Sequence, residues 1–148
     1  HAVNRRDYSI PQLNAWAPQN LHFSNWLDRL RSQVTYVAEQ EGIIVGFGSL
    51  ARQEKSGYLE GYIDCLYCHH AYQRQGIGGQ IYQAIETQAL AELMPRLYTH
   101  ASITAKPFFH HRGFTVVTQQ QVNCRGETFV NYVMEKCFPD LGAIITLS

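Results

Sequence analysis

Apolar and β-branched residues in the middle of the chain are grouped into short runs that predict β-strands. Residues 34–39 and 43–52 are two such runs, and the pair Glu41-Gly42 between them predicts a hairpin turn. A third run, residues 58–68, follows a second turn and has the aromatic and apolar content of a buried strand. Three consecutive antiparallel strands are therefore expected.

After residue 68 the apolar positions recur every four residues, which is the pattern of one helix face. The residues in this pattern are Ile77, Ile81, Ile85, Ala89 and Leu93. Pro95 should end the helix, because proline cannot continue its hydrogen bonding. The pattern predicts a helix over residues 77–94.

The C-terminal third predicts a short buried strand over residues 97–101, a short helix over 104–111 and a hairpin of strands 114–123 and 128–137. Gly113 suits a left-handed helix cap after the short helix. This order predicts an α+β fold with a central mixed, mostly antiparallel sheet flanked by helices.

The first 33 residues carry apolar and aromatic side chains among polar ones and predict two short helices. Pro11 and Pro18 are expected to interrupt them. Nothing within residues 1–10 predicts a strand. A chain of 148 residues without repeats is expected to form a single domain over residues 1–148.

Charge and hydropathy narrow the classes of partner. Twelve basic and twelve acidic residues cancel without a run of like charge, so no nucleic acid or anionic membrane partner is expected. No stretch reaches the ~20 apolar residues of a membrane span, and the first residues lack the apolar core of a signal peptide. The expected location is the cytoplasm, the expected partner is small, and a homodimer is left open.

The run Cys65-Leu66-Tyr67-Cys68-His69 matches the Cys-x-x-Cys-His spacing of haem attachment. On a strand, Cys65 and Cys68 would face opposite sides of the sheet, so we interpret the match as accidental. A zinc site would need two more ligands nearby, and Cys124 and Cys137 are isolated. Neither haem nor metal is expected.

Three glycines open the predicted helix of residues 77–94. Gly76, Gly78 and Gly79 remove side chains where free N–H groups and the positive helix dipole would meet an anion. A dinucleotide fingerprint would need a glycine at Ile81, and a Walker loop would need Gly-Lys-Ser/Thr, so neither phosphate motif fits. The segment predicts a phosphate site of another kind.

The loop spacing Gln/Arg-x-x-Gly-x-Gly resembles the acetyl-CoA loop of the GCN5-related N-acetyltransferase (GNAT) superfamily. Residues 101–114, which end in Phe-x-x-x-Gly-Phe before a predicted hairpin, resemble the second signature of that superfamily. The stretch Ser-Ile-Thr-Ala-Lys-Pro-Phe-Phe resembles small bacterial members. In that family a further strand precedes the first helix, and here it is expected to be absent or to lie before residue 1.

The resemblance implies transfer of acetyl from acetyl-CoA to a primary amine, on a small molecule or a peptide. It also implies a set of cofactor contacts along the third predicted strand, the glycine loop and the second signature. These residues are Leu66, Cys68, Gln73, Arg74, Gln75, Gly76, Gly78, Gly79 and Ser102. The serine could equally cap the short helix that follows it.

A general base must take the proton of the amine, and the glutamate that relatives use falls at Tyr62. Asp64 is the first substitute candidate, with a purely structural hydrogen-bonding role as its alternative. His100 is the second, since an imidazole has an unperturbed pKa of roughly 6.5.

The acid that protonates the departing thiolate is also in question, because Phe109 stands where the family has a tyrosine. Tyr132 and Ser102 are the substitute candidates, or the thiolate leaves unaided. These two departures keep open an alternative function, a non-catalytic acyl-CoA sensor of the same fold.

Overall fold

A computed structural model describes residues 2–5, 32–73, 75–124 and 126–138. The elements alternate between strands and two helices. They are β1 (Ala2–Arg5), β2 (Val34–Gln40), β3 (Ile43–Lys55), β4 (Tyr58–Cys68), a 3-10 turn (His70–Tyr72), α1 (Ile77–Ala91), β5 (Arg96–Ser102), α2 (Lys106–His111), β6 (Thr115–Cys124) and β7 (Glu127–Cys137).

The strands form one mixed sheet in the order β1-β2-β3-β4-β5-β7-β6. The β4–β5 pair is parallel, whereas β1–β2, β2–β3, β5–β7 and β6–β7 are antiparallel. The predicted α+β class with a mostly antiparallel sheet is confirmed. The packing divides the chain into two compact units, which are described separately.

Unit 1 comprises His1–Ala51 and Asp64–Gln88. Its core is formed by apolar side chains of β2, β3 and α1. These side chains lie in the two apolar runs and at the apolar positions of period four that predicted the strands and the helix. The most deeply buried ones are Val34, Val37, Val45, Phe47, Leu50, Ile77, Ile81 and Ile85.

Unit 2 comprises Arg52–Ile63 and Ala89–Ser148. Its core combines the end of α1 with β5, α2 and β7. The most deeply buried side chains are Ile63, Ala89, Met94, Leu97, Phe114 and Met134.

The turn predictions depend on glycine and are confirmed where the backbone is described. Glu41 and Gly42 both have positive φ (54° and 80°), as a two-residue hairpin turn requires. Gly113, with φ 93°, ends α2, and the bond from Phe114 N–H to Phe109 C=O closes the motif. The predicted helices within residues 1–33 lie outside the described residues.

Two expectations need correction. The sequence predicted no strand within residues 1–10, but Ala2–Arg5 pairs with β2. This strand is four residues long, and its partner comes from a distant part of the chain, so it leaves no apolar pattern. In addition, α1 ends at Ala91, because Leu93 takes the left-handed conformation (φ 58°) ahead of Pro95.

Candidate functional site

In unit 1 the glycine loop leads directly into the first turn of α1. The first helical hydrogen bond joins Gln80 N–H to Gly76 C=O at 3.0 Å, so the N–H groups of Ile77, Gly78 and Gly79 precede the helical ladder. Gly76 has φ 77°, which glycine adopts without strain. The first turn contains no acidic residue. This end of α1 therefore presents N–H donors without a competing carboxylate.

The position of this helix in unit 1 depends on two glycines of β3. A Cβ at Gly46 would lie 2.9 Å from both Ile81 Cδ1 and the Tyr67 carbonyl oxygen. A Cβ at Gly48 would lie 2.7 Å from Ile81 Cγ2. The absence of a side chain at these two glycines therefore lets Ile81 of α1 and the backbone of β4 approach β3 closely.

The strand that precedes the loop continues beyond its pairing with β5. The β4–β5 ladder contains three pairs and ends with Ile63 opposite Thr99. Within the described residues, β4 then runs for five more positions, Asp64 to Cys68, without a partner in β5. The predicted cofactor contacts Leu66 and Cys68 lie in this stretch and are half-buried.

The two cysteines of β4 are placed apart from each other, as the strand parity predicts. Cys65 is buried, with its Sγ 2.8 Å from Ser49 Oγ. The Cys68 Sγ lies 3.6 Å from the carbonyl oxygens of both His69 and Tyr72, so its single S–H proton can be donated to either, and burial raises the pKa of this thiol. Among the described residues, no three His, Cys, Asp or Glu side chains are grouped as metal ligands would be.

Asp64 is held by a hydrogen bond within unit 1. Its Oδ2 accepts from Gln33 Nε2 at 2.8 Å, and its side chain is half-buried. The structure therefore shows the hydrogen-bonding role that the sequence offered as the alternative. A carboxylate held in this way is also oriented, which is compatible with proton transfer.

In unit 2 an aromatic cluster lies on one face of β4 and β5. Tyr62 and Tyr98 are register partners with ring centroids 4.8 Å apart, and His100 lies two positions further along the same face of β5. The His100 ring is 5.4 Å from Tyr62 and 6.3 Å from Tyr98. The residue that replaces the family glutamate thus contacts the second base candidate.

Beside this cluster, Arg96 connects two carboxylates. Its guanidinium donates to Glu60 at 2.7 Å and to Glu135 at 2.5 Å, and it lies 4.7 Å from the centroid of the Tyr98 ring. Burial lowers the pKa of Arg96, but the hydrogen bonds and charges of the two glutamates raise it overall. Glu60, only 2% exposed, is also 3.5 Å from Lys55.

The candidate acids of unit 2 lie on different faces of the sheet. Ser102 is opposite Asn131 and Tyr132 is opposite Ala101, so their side chains start from opposite sides. Ser102 Oγ accepts from Ala105 N–H at 3.1 Å, which is the turn-capping role that the sequence left open. The Tyr132 ring centroid lies 4.4 Å from Lys106 Nζ.

Phe109, at the family tyrosine position, belongs to the core of unit 2. It is 4% exposed, and its ring lies 5.2 Å from those of Phe108 and Phe114. The side chain therefore packs, in agreement with its lack of a hydroxyl group.

The Acetyltransferase (GNAT) domain family matches residues 5–136 of this chain. A curated protein of Escherichia coli (strain K12), "Uncharacterized N-acetyltransferase YafP", is 36% identical over 127 residues, which are 86% of this chain and 75% of that protein. The chain belongs to the GNAT family. It is an acetyltransferase, which favours the enzyme over the sensor of the same fold.

Solved GNAT structures resemble this one closely. A GCN5-related N-acetyltransferase from Rhodopseudomonas palustris is 32% identical, with a TM-score of 0.70 and coverage of 89% of this chain and 78% of that one. Arabidopsis thaliana Naa50 in complex with a bisubstrate analogue, CoA-Ac-MVNAL, is 19% identical, with a TM-score of 0.69 and coverage of 92% and 99%. The latter similarity supports the fold alone.

The first turn of α1 in this GNAT protein contains no acidic residue of its own that would repel an anion at its leading N–H groups. Arg74, predicted to contribute there, lies outside the described residues. In the described part, no helix combines the length and the apolar character needed to cross a membrane.

Sequence reasoning missed the side-chain partners that hold the candidate residues. Gln33 on Asp64, Gln53 on Tyr98 and the pairing of Arg96 with two glutamates are absent from the predictions. These partners are separated from each other by 31 to 45 positions along the chain. Only a correct strand register would have brought them together.

Proposed function

We propose that this GNAT protein transfers the acetyl group of acetyl-CoA to a primary amine of a small molecule or peptide. The observation that carries the proposal is the first turn of α1. Three glycines leave its N–H donors without covering side chains, and the turn contains no acidic residue. When bound, acetyl-CoA supplies an acetyl group activated as a thioester, and the amine nitrogen replaces the sulfur.

The pyrophosphate is assigned to the backbone around Gly76, Gly78 and Gly79, assisted by Gln73, Arg74 and Gln75. The pantetheine arm is assigned to the stretch of β4 beyond its pairing with β5, which contains Leu66 and Cys68, and Ser102 is a further cofactor contact. Support comes from the end of the β4–β5 ladder at Ile63, after which β4 has no β5 partner in the described residues.

The amine must lose a proton before or during attack, and we assign this step to Asp64, with His100 as the second candidate. The hydrogen bond from Gln33 orients the Asp64 carboxylate, which supports its role as a positioned base. Ser102 and Tyr132 are the candidates for protonating the leaving sulfur. Their placement on opposite faces means that the variants Ser102→Ala and Tyr132→Phe test separate positions.

Acetyl transfer is proposed to be direct, without an acetyl-cysteine intermediate. A cysteine nucleophile has to act as a thiolate, and burial raises the pKa of Cys68. Cys65 is buried beside Ser49, so neither cysteine of β4 is suited to the role.

The deciding experiment is calorimetric titration of acetyl-CoA into Gly78→Val. A β-branched side chain at the helix mouth should block the phosphate and abolish measurable binding, because each lost hydrogen bond to a charged group costs about 1.5–3 kcal/mol. Gln83→Val, at an exposed position of the same helix, is the matched control for the intrinsic cost of valine. Circular dichroism should show that both variants fold, and unchanged affinity in Gly78→Val would refute the assignment.

A further inference from the structure

We propose that Tyr62, Tyr98 and His100 form the surface that binds the acceptor, and that the acceptor is a monoamine with a flat aromatic body. The inference rests on the proposed acetyl transfer, which requires an amine without specifying its class. We call these three residues the aromatic surface.

The rings of the aromatic surface lie close together. The three ring centroids lie 4.8 to 6.3 Å apart, and the Tyr62 and Tyr98 planes are tilted by only 31°. Both tyrosines are half-buried and His100 is exposed, so the cluster is not closed within the core of unit 2. The cluster includes Tyr62 and Tyr98, the pair before the last pair of the β4–β5 ladder. A flat ligand could stack on such rings.

The Tyr98 ring is held in place by its neighbours. Tyr98 Oη donates to Gln53 Oε1 at 2.5 Å, and the Arg96 guanidinium contacts the same ring. Arg96 is itself held by Glu60 and Glu135. A ring fixed at its hydroxyl and by a neighbouring cation loses little freedom when a ligand binds, and such preorganisation favours recognition.

The carboxylates beside the aromatic surface are already paired with cations. Glu60 and Glu135 lie on the same face of the sheet as the aromatic surface, and Arg96 neutralises both, with Lys55 as a second cation beside Glu60. A polyamine or another polycation needs several carboxylates to replace its water, and these two are already engaged. One ammonium group, by contrast, is attracted to a tyrosine ring within about 6 Å of its centroid. The chemistry favours a single cationic centre.

The test compares the initial rates of CoA thiol release with three amines at one pH. These are 2-phenylethylamine, n-hexylamine as an alkyl monoamine, and spermidine as a polyamine. We expect kcat/KM for 2-phenylethylamine to exceed those of the other two by about tenfold. Equal values for the two monoamines, or a preference for spermidine, would overturn the proposal.

Variants of Tyr62 then locate the preference. Tyr62→Leu should lower kcat/KM for 2-phenylethylamine by about tenfold, mainly through KM, and should lower the n-hexylamine value less, because hexylamine loses the contact to its ammonium group but no ring stacking. Tyr62→Phe retains the ring and should retain most of the preference. Tyr58→Leu removes an exposed ring from the same strand and is the matched control. A Tyr62→Leu enzyme with the wild-type ranking of amines contradicts the inference.

Two binding measurements separate this inference from the proposed function. Calorimetry with acetyl-CoA tests the proposed function alone, and Tyr62→Leu should match the wild type there. Ligand-observed NMR with 2-phenylethylamine, without an acetyl donor, tests the aromatic surface alone. Weak binding that Tyr62→Leu removes supports the inference even if acetyl-CoA fails to bind, and absence of binding to the wild type refutes it.

Discussion

The first turn of α1 and the aromatic surface are built from different parts of the chain. In the α1 turn, the proposed binding groups are backbone N–H donors, and the side chains contribute mainly by being small. On the aromatic surface, the proposed binding groups are side chains from two strands, and the strand register brings them together. A site made of backbone can be recognised from a short sequence motif, whereas a site made of side chains depends on tertiary structure.

The largest effect should come from Asp64→Asn, which tests whether the base belongs to unit 1 or to unit 2. Turnover should fall about 10²-fold or more, with acetyl-CoA affinity little changed, because a base acts on the amine. The measurements are steady-state rates and calorimetric titration. A comparable loss in rate and affinity would make Asp64 structural, and a greater rate loss in His100→Gln would assign the base to unit 2.

A second test concerns the ion pairs that support the aromatic surface. Arg96→Leu removes the guanidinium 2.7 Å from the buried Glu60 carboxylate and leaves Lys55, 3.5 Å away, as its cation among the described residues, so it should lower the free energy of unfolding by about 3 kcal/mol. Arg52→Leu breaks the more exposed pair with Glu92 and should cost less than about 1 kcal/mol. Urea unfolding measures both. Equal losses of unfolding free energy in the two variants would show that the burial of Glu60 does not increase the cost of removing its partner.

In unit 1 the corresponding test is steric. Gly46→Ala places a methyl group 2.9 Å from a backbone oxygen and from Ile81, and should lower the free energy of unfolding by about 1–3 kcal/mol. Gly42→Asn is the control, because Gly42 has open space around it and asparagine tolerates a positive φ. Thermal and urea unfolding should separate the two variants, and a neutral Gly46→Ala would contradict the close packing.

The smallest effect should be the contribution of Cys68 to stability at alkaline pH. Burial raises the pKa of this thiol in the folded state, so its contribution is fully present below the unfolded-state pKa of about 8.5 and is lost as the pH rises through the folded-state pKa. The free energy of unfolding should therefore fall less between about pH 7 and pH 9.5 in Cys68→Ala than in the wild type. An identical fall in both proteins would show that Cys68 makes no such contribution.

Burial also raises the pKa of Cys137, so the free energy of unfolding should likewise fall less at alkaline pH in Cys137→Ala than in the wild type.

The ends of the two helices differ in whether the sequence predicted them. Both end in the same hydrogen-bonding motif, with Gly113 in the left-handed conformation after α2 and Leu93 after α1. Only the first was predicted, because glycine adopts this conformation without strain and leucine does not. The tertiary structure around Leu93 therefore has to offset the energetic cost of the left-handed backbone conformation at a leucine.

By itself, the sequence determined the order of the elements from β2 onward, the hairpin turns and the glycine loop that begins α1. These features are local, since they depend on apolar period and on the conformational freedom of glycine. The tertiary structure decided the pairing of β1, the pairing of Tyr62 with Tyr98, and the partners of Asp64 and Arg96. These contacts join residues far apart in the chain, and they form only when the strand register aligns the two side chains. The residues next to each of them in the sequence therefore do not indicate its partner.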